Sequence, residues 1–174
     1  MRAGSMWLFA LFVLALMPAH ASNAAEIPRE LRFELRAMPS YTSGEAVTVT
    51  FVLTGHPTQA LQVLRWNTPL EGLRGRIFRI TRDGVEIPYN GRMYKRGEPA
   101  REDYVLLAAG AELRGDVDLA TAYDFTRPGE YHVTFTGEIL DAAPANTPVP
   151  RKGAQFSRAE LRGEPIVITL KPKP

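Results

Sequence analysis

The sequence predicts an all-β chain, an antiparallel β-sandwich of about seven to nine strands, behind an N-terminal signal peptide. Three observations predict it. Apolar residues recur with period two along most of the chain, glycine and proline punctuation separates those runs, and no stretch carries an apolar face at helical spacing. An antiparallel sheet with one solvated face produces this alternation, and two such faces buried against each other make a sandwich.

Residues 1–25 stand apart from that pattern. Arg2 precedes an unbroken run of 12 apolar residues, 6–17, which ends at Pro18. A helix needs about 20 apolar residues to cross a bilayer, so the run is read as the core of a signal peptide. Small residues follow, with A-x-A-like cleavage after Ala21 and a mature start between Ser22 and Glu26. The expectation is an exported chain, periplasmic or secreted, without a stable membrane span once the signal is removed. The absence of cysteine excludes a lipid-modified N-terminal Cys and structural disulfides, and a mature domain of residues 26–170 is large enough to fold without them.

The strands follow in order. Leu31, Phe33 and Leu35 alternate with Arg32, Glu34 and Arg36, and residues 47–53 repeat the pattern with β-branched side chains that suit a pleated surface. Further strands are expected at 61–66, 76–82, 85–89, 103–107, 112–119, 130–139 and 165–170. Asp83-Gly84 tolerates positive φ and predicts a tight hairpin between the fourth and fifth. The segment from Tyr123 through Pro128-Gly129 to Val133 delivers an aromatic-rich late strand from a turn, as at the tyrosine corner of immunoglobulin-like sandwiches, and makes that topology the expected one. Residues 141–164 contain Pro144, Pro148 and Pro150 and exceed the usual hairpin connection, so an exposed, mobile loop is expected there. Residues 171–174, Lys-Pro-Lys-Pro, lack donors at their prolines and are expected to fray beyond the last strand.

Chemistry is scarce. His56 and His132 are the only histidines outside the signal segment, and neither has a partner at i+4 with an adjacent Glu, the arrangement that lets two imidazoles reach one zinc. There is no cysteine nucleophile and no G-x-S-x-G turn. Gly72-Leu73-Arg74-Gly75 precedes a strand, so no helix dipole backs it as a phosphate loop. No catalytic residue, metal or cofactor is therefore expected. The net charge is +2 with basic and acidic residues interspersed, which gives nucleic-acid binding no support.

Two segments are more specific than a generic sandwich requires. One is Leu64-Arg65-Trp66-Asn67-Thr68-Pro69-Leu70-Glu71-Gly72. The other runs from Asp83-Gly84 through Tyr89-Asn90-Gly91 and Lys95-Arg96-Gly97-Glu98-Pro99 to Asp103-Tyr104-Val105-Leu106-Leu107 and Gly110. Together they resemble the N-terminal β-sandwich companion domain of deuterolysin-like peptidyl-lysine zinc metalloendopeptidases, the aspzincins, from about Leu31 to Leu170. His-Glu-x-x-His and Gly-Thr-x-Asp, which carry the zinc ligands of that family, do not occur in the sequence. The resemblance implies a non-catalytic module that assists or occupies a secreted aspzincin-type metallopeptidase as inhibitor or folding partner. An envelope or extracellular structural module binding polysaccharide or protein, through aromatics such as Tyr89 and Tyr94, is the alternative. Candidate partner-binding residues are Trp66, Tyr94, Lys95, Arg96, Arg151 and Lys152. Trp66 also suits a core anchor, and Lys152 lies where a flexible loop would offer it to a lysine-preferring cleft.

Overall fold

The computed structural model describes residues 30–174, so the signal peptide expected at 1–25 lies outside the described residues. Twelve strands follow one another: β1 (Glu30–Ala37), β2 (Ser40–Thr42), β3 (Thr48–Thr54), β4 (Leu61–Leu64), β5 (Phe78–Arg82), β6 (Val85–Ile87), β7 (Tyr104–Leu107), β8 (Glu112–Asp118), β9 (Gly129–Phe135), β10 (Ala142–Pro144), β11 (Glu160–Arg162) and β12 (Ile166–Lys171). The helical residues described are single 3-10 turns. All nine expected strands are present, and the chain is all-β.

The strands form a four-stranded sheet in the order β11-β1-β3-β8, a five-stranded sheet in the order β2-β12-β9-β5-β6, and a small third sheet, β10-β4-β7. The two larger sheets bury their inner faces against each other. Phe33 and Phe51 of the first meet Phe135 and Phe78 of the second, with neighbouring ring centroids 5.0–5.6 Å apart. Tilted and edge-on aromatic contacts of this kind add to the apolar area they remove from water, so this quartet locks the sandwich at its centre. Most pairings are antiparallel, as expected of the sandwich, and only the edge pairings β1–β11 and β12–β2 are parallel among the described strands. The reason is that β2 and β11 are three-residue strands on sheet edges whose partners, β12 and β1, are not their neighbours in the chain, so no hairpin dictates direction.

Turn chemistry sets the registers. Asp83 and Gly84 take φ values of 49° and 82°, which join β5 to β6 with Arg82 opposite Val85, as the dipeptide predicts. Tyr131 at the start of β9 donates its hydroxyl to the Arg127 carbonyl at 2.7 Å, four residues upstream, the bond that defines a tyrosine corner.

Strand β4 is buried along its whole length because it separates two cores. Leu61 and Val63 face the main core, while Leu64 faces a smaller cluster with Trp66 and Tyr104, covered by Leu140, Val149 and Phe156. Gln62, the other residue on that second face, is buried but satisfied: it donates to the Ala145 and Thr147 carbonyls and accepts from Arg101.

From 144 to 164 the expected long loop is exposed or half-buried except at Ala159, but the segment 141–164 is not without structure. It supplies β10 and β11, and Asp141, Ala142, Ala143 and Ala159 are buried. Small alanines permit close packing beside β4, and Pro144 is tolerated in β10 because that strand lies at a sheet edge. Lys171, placed in the tail, is instead the last residue of β12; the backbone donor is missing only at Pro172 and Pro174.

Candidate functional site

The site begins with Thr68. Its buried hydroxyl donates to the Arg65 carbonyl at 2.6 Å and accepts from Leu70 N–H, capping the 3-10 turn Pro69–Glu71, whose first position is the proline that such turns favour. This turn aims Glu71 backwards. The Glu71 carboxylate accepts the Asn67 N–H at 3.1 Å and grips the Arg96 guanidinium through its second oxygen. Arg96 in turn lies 5.0 Å over the Trp66 ring, within the range of a cation–π contact.

Trp66 itself is only 6% exposed. Its indole N–H makes no hydrogen bond of good geometry with any described residue, yet it faces the Asp103 carboxylate. Burial pushes the Asp103 carboxyl up, but the Ala100 N–H, the Trp66 indole and the Arg65 and Arg96 guanidiniums outweigh it, and the group is held below its ordinary value. The strip Glu71–Arg96–Trp66–Asp103 is thus an alternating row of charge and ring along one end of the molecule.

Beside it opens a groove of about 280 Å³, lined by Asn67, Arg74, Arg76, Met93, Tyr94 and Arg96 together with residues 136–138. Arg74 lies 4.9 Å over the Tyr94 ring. Met93 and Tyr94 are exposed by 73% and 43%. Gly137 seats its backbone against the Asn67 carbonyl, an approach that leaves no room for a Cβ.

A second layer lies behind Trp66. Asp141, fully buried, accepts from the Tyr104 hydroxyl at 2.8 Å and from Ser157 N–H at 2.7 Å, and pairs with Arg151 at 3.1 Å. Burial, then the bond to Asp141, pushes the Tyr104 phenol up to about 12. Arg151 is therefore turned inward, its side chain 15% exposed, while the neighbouring Lys152 is exposed at the start of the turn Gly153–Gln155.

Of the residues singled out by sequence, the structure brings Trp66, Tyr94 and Arg96 to the groove and its wall. Lys95 is exposed next to them without lining the groove. Arg151 and Lys152 join the same end through Tyr104, whose hydroxyl also lies 3.4 Å from the Arg151 N–H. Tyr89 packs edge-on against Tyr123 and donates to the Arg92 carbonyl. Sequence reasoning missed Arg74, Met93 and Asn67 as groove residues, and Asp141 as the buried anchor. Asn67 had one signal available, since its φ of 58° is a conformation that Asn tolerates better than most residues.

Among the described residues no three His, Cys, Asp or Glu side chains are placed to hold a metal ion, and no helix is long and apolar enough to cross a membrane. Fold and site together define a β-sandwich with a preformed, arginine-rich groove at one end. No family model matches the chain. It is similar to an extracellular protease of Aeromonas hydrophila, 30% identical over 53% of this chain and 27% of that protein. It is also similar to a neutral protease 2 homolog of Uncinocarpus reesii, 29% identical over 63% of this chain and 33% of the relative. Another neutral protease 2 homolog, from Coccidioides posadasii, is 27% identical over 76% of this chain and 40% of its own length. The chain thus spans roughly a third of the curated relatives it matches and is distantly related to proteins named as proteases.

Proposed function

We propose that the protein is an exported, non-catalytic binding module that acts on a secreted protease as inhibitor or folding partner. The observation that supports this reading is the likeness to proteins named proteases over a β-sandwich that carries an arginine-lined groove. The 174 residues contain neither the His-Glu-x-x-His nor the Gly-Thr-x-Asp motif of the aspzincin peptidases that the sequence resembles. An aspzincin-type metallopeptidase is accordingly the partner we favour. The binding face is the region of the Trp66–Tyr104 cluster, which carries the Trp66–Arg96 stack and, next to the Tyr104-bonded Arg151, the exposed Lys152. The Arg151–Asp141 pair anchors the backbone immediately before Lys152, so that lysine stands on a held turn, and a pre-organised segment loses less entropy on binding than a free loop.

The test is to add the purified protein to a deuterolysin-type protease and follow both peptide hydrolysis and the refolding yield of the denatured enzyme. Inhibition or improved yield at micromolar concentration is expected. No change in either, or peptide hydrolysis by the protein alone, would overturn the proposal.

A further inference from the structure

We infer that the groove beside Trp66 receives an acidic side chain, Asp or Glu, of a protein partner, with an apolar neighbour of that residue covering Met93. This inference rests on the reading of this end of the molecule as a protein-binding face. It starts from the three guanidiniums lining the groove. Arg76 is engaged by Glu86 and Arg96 by Glu71. Arg74 has no carboxylate partner among the described residues; its recorded contact is the Tyr94 ring, which holds the guanidinium at the groove and leaves its donors unused. The Asn67 side-chain amide likewise has no recorded partner, although its backbone N–H is fixed by Glu71. A guanidinium that no carboxylate among the described residues engages, beside a neutral amide donor, matches a single carboxylate, which arginine binds through two parallel hydrogen bonds.

The charge balance argues for a carboxylate over a phosphate. Glu138 also lines the groove, and although Arg158 pairs with it at 3.0 Å, it keeps the local excess of positive charge small. Glu138 thus opposes a more highly charged anion, whereas Arg74 and the Asn67 amide together match a monoanion. The rest of the surface fits a protein partner, because Met, Tyr and Arg are the types enriched where protein interfaces are buried, and Met93 and Tyr94 are here exposed side by side. The walls are also held before any ligand arrives, by the Glu71 bridge between Asn67 and Arg96 and by Gly137 against the Asn67 backbone.

The experiment measures fluorescence polarisation of a labelled peptide, Leu-Glu-Phe-Glu-Leu, titrated with the full chain, beside its Leu-Gln-Phe-Gln-Leu counterpart. The Glu peptide is expected to bind about tenfold more tightly than the Gln peptide, and Arg74→Gln to remove that preference. Arg32→Gln, an exposed arginine of β1 outside this groove, should leave it intact. Arg74 is solvent-exposed, so its replacement should leave the thermal midpoint unchanged; Tyr94→Leu, which removes only the ring beneath the guanidinium, should weaken binding part-way. Equal binding of both peptides, or binding insensitive to Arg74, would overturn the inference. So would a single-stranded oligonucleotide that displaced the peptide in an Arg74-dependent way, since the groove would then serve nucleic acid. Protease inhibition that survives Arg74→Gln would sink this inference and leave the proposed function standing. Peptide binding without any effect on protease would do the reverse.

Discussion

Asp141 holds more together than any other single polar residue described. Its carboxylate is fully buried and takes bonds from Tyr104, Ser157 and Arg151. Removing one member of a buried pair leaves the other charged and unsolvated, so Asp141→Ala should cost about 3–5 kcal/mol in urea unfolding. Tyr104→Phe deletes only one donor and should cost about 1 kcal/mol. Equal effects would mean that the Arg151 pair contributes little. Arg96 makes a different contribution. Its guanidinium covers Trp66, so Arg96→Ala should red-shift tryptophan emission as the ring meets water, with a stability loss of about 1 kcal/mol. Arg96→Lys should restore little, because an ammonium lacks the plane that stacks. An emission maximum unchanged in Arg96→Ala would show that other groups shield the indole.

At the scale of elements, the segment 141–164 matters most. It adds β10 beside β4 and β11 beside β1, and it covers the Trp66 cluster with Val149 and Phe156. Replacing it with a short Gly-Ser linker should therefore lower the thermal midpoint sharply or abolish cooperative unfolding. A loop excised without consequence, as its prolines alone would predict, would contradict that account. The same segment shows why element-level reading succeeded elsewhere and failed here. β1, β3, β9 and β12 carry long alternating patterns, and each announces its buried face residue by residue. β10 and β11 are three residues long, too short for a period, and their pairing depends on partners far away in the chain.

The whole molecule should be most stable between the acid and alkaline limbs of its titration. On the acid side, the Thr126 hydroxyl and N–H hold the Asp124 carboxyl below its ordinary value, and Asp103 is lowered as described above. A carboxyl lowered in the folded state stabilises it above the unfolded value of 3.8, and that contribution fades as pH falls through the folded one. On the alkaline side, burial pushes the Tyr123 phenol up to about 12, as it does for Tyr104. The folded state then holds protons that the unfolded chain releases near pH 10, so this stability is complete below pH 10 and is lost as pH rises towards 12. Thermal midpoints across that window, with tyrosinate absorbance followed alongside, check the sign. Midpoints flat from pH 10 to 12 would show that neither phenol is shielded.

What the sequence by itself determined is the sandwich: period-two alternation assigns each long strand a buried face, and Asp83-Gly84 sets a hairpin register through the backbone angles those residues accept. Trp66, Tyr94 and Arg96 were legible as candidates because they stand in an unusual run. Only the tertiary structure decided that Arg74 hangs over Tyr94, 20 residues away, and that Arg151 turns inward to Asp141. Local spacing encodes which side of a strand is wet, but the juxtaposition of two irregular loops depends on the packed core beneath them. Here the anchor of that packing, Asp141, is a charged residue whose burial becomes affordable only after Tyr104, Ser157 and Arg151 have gathered around it.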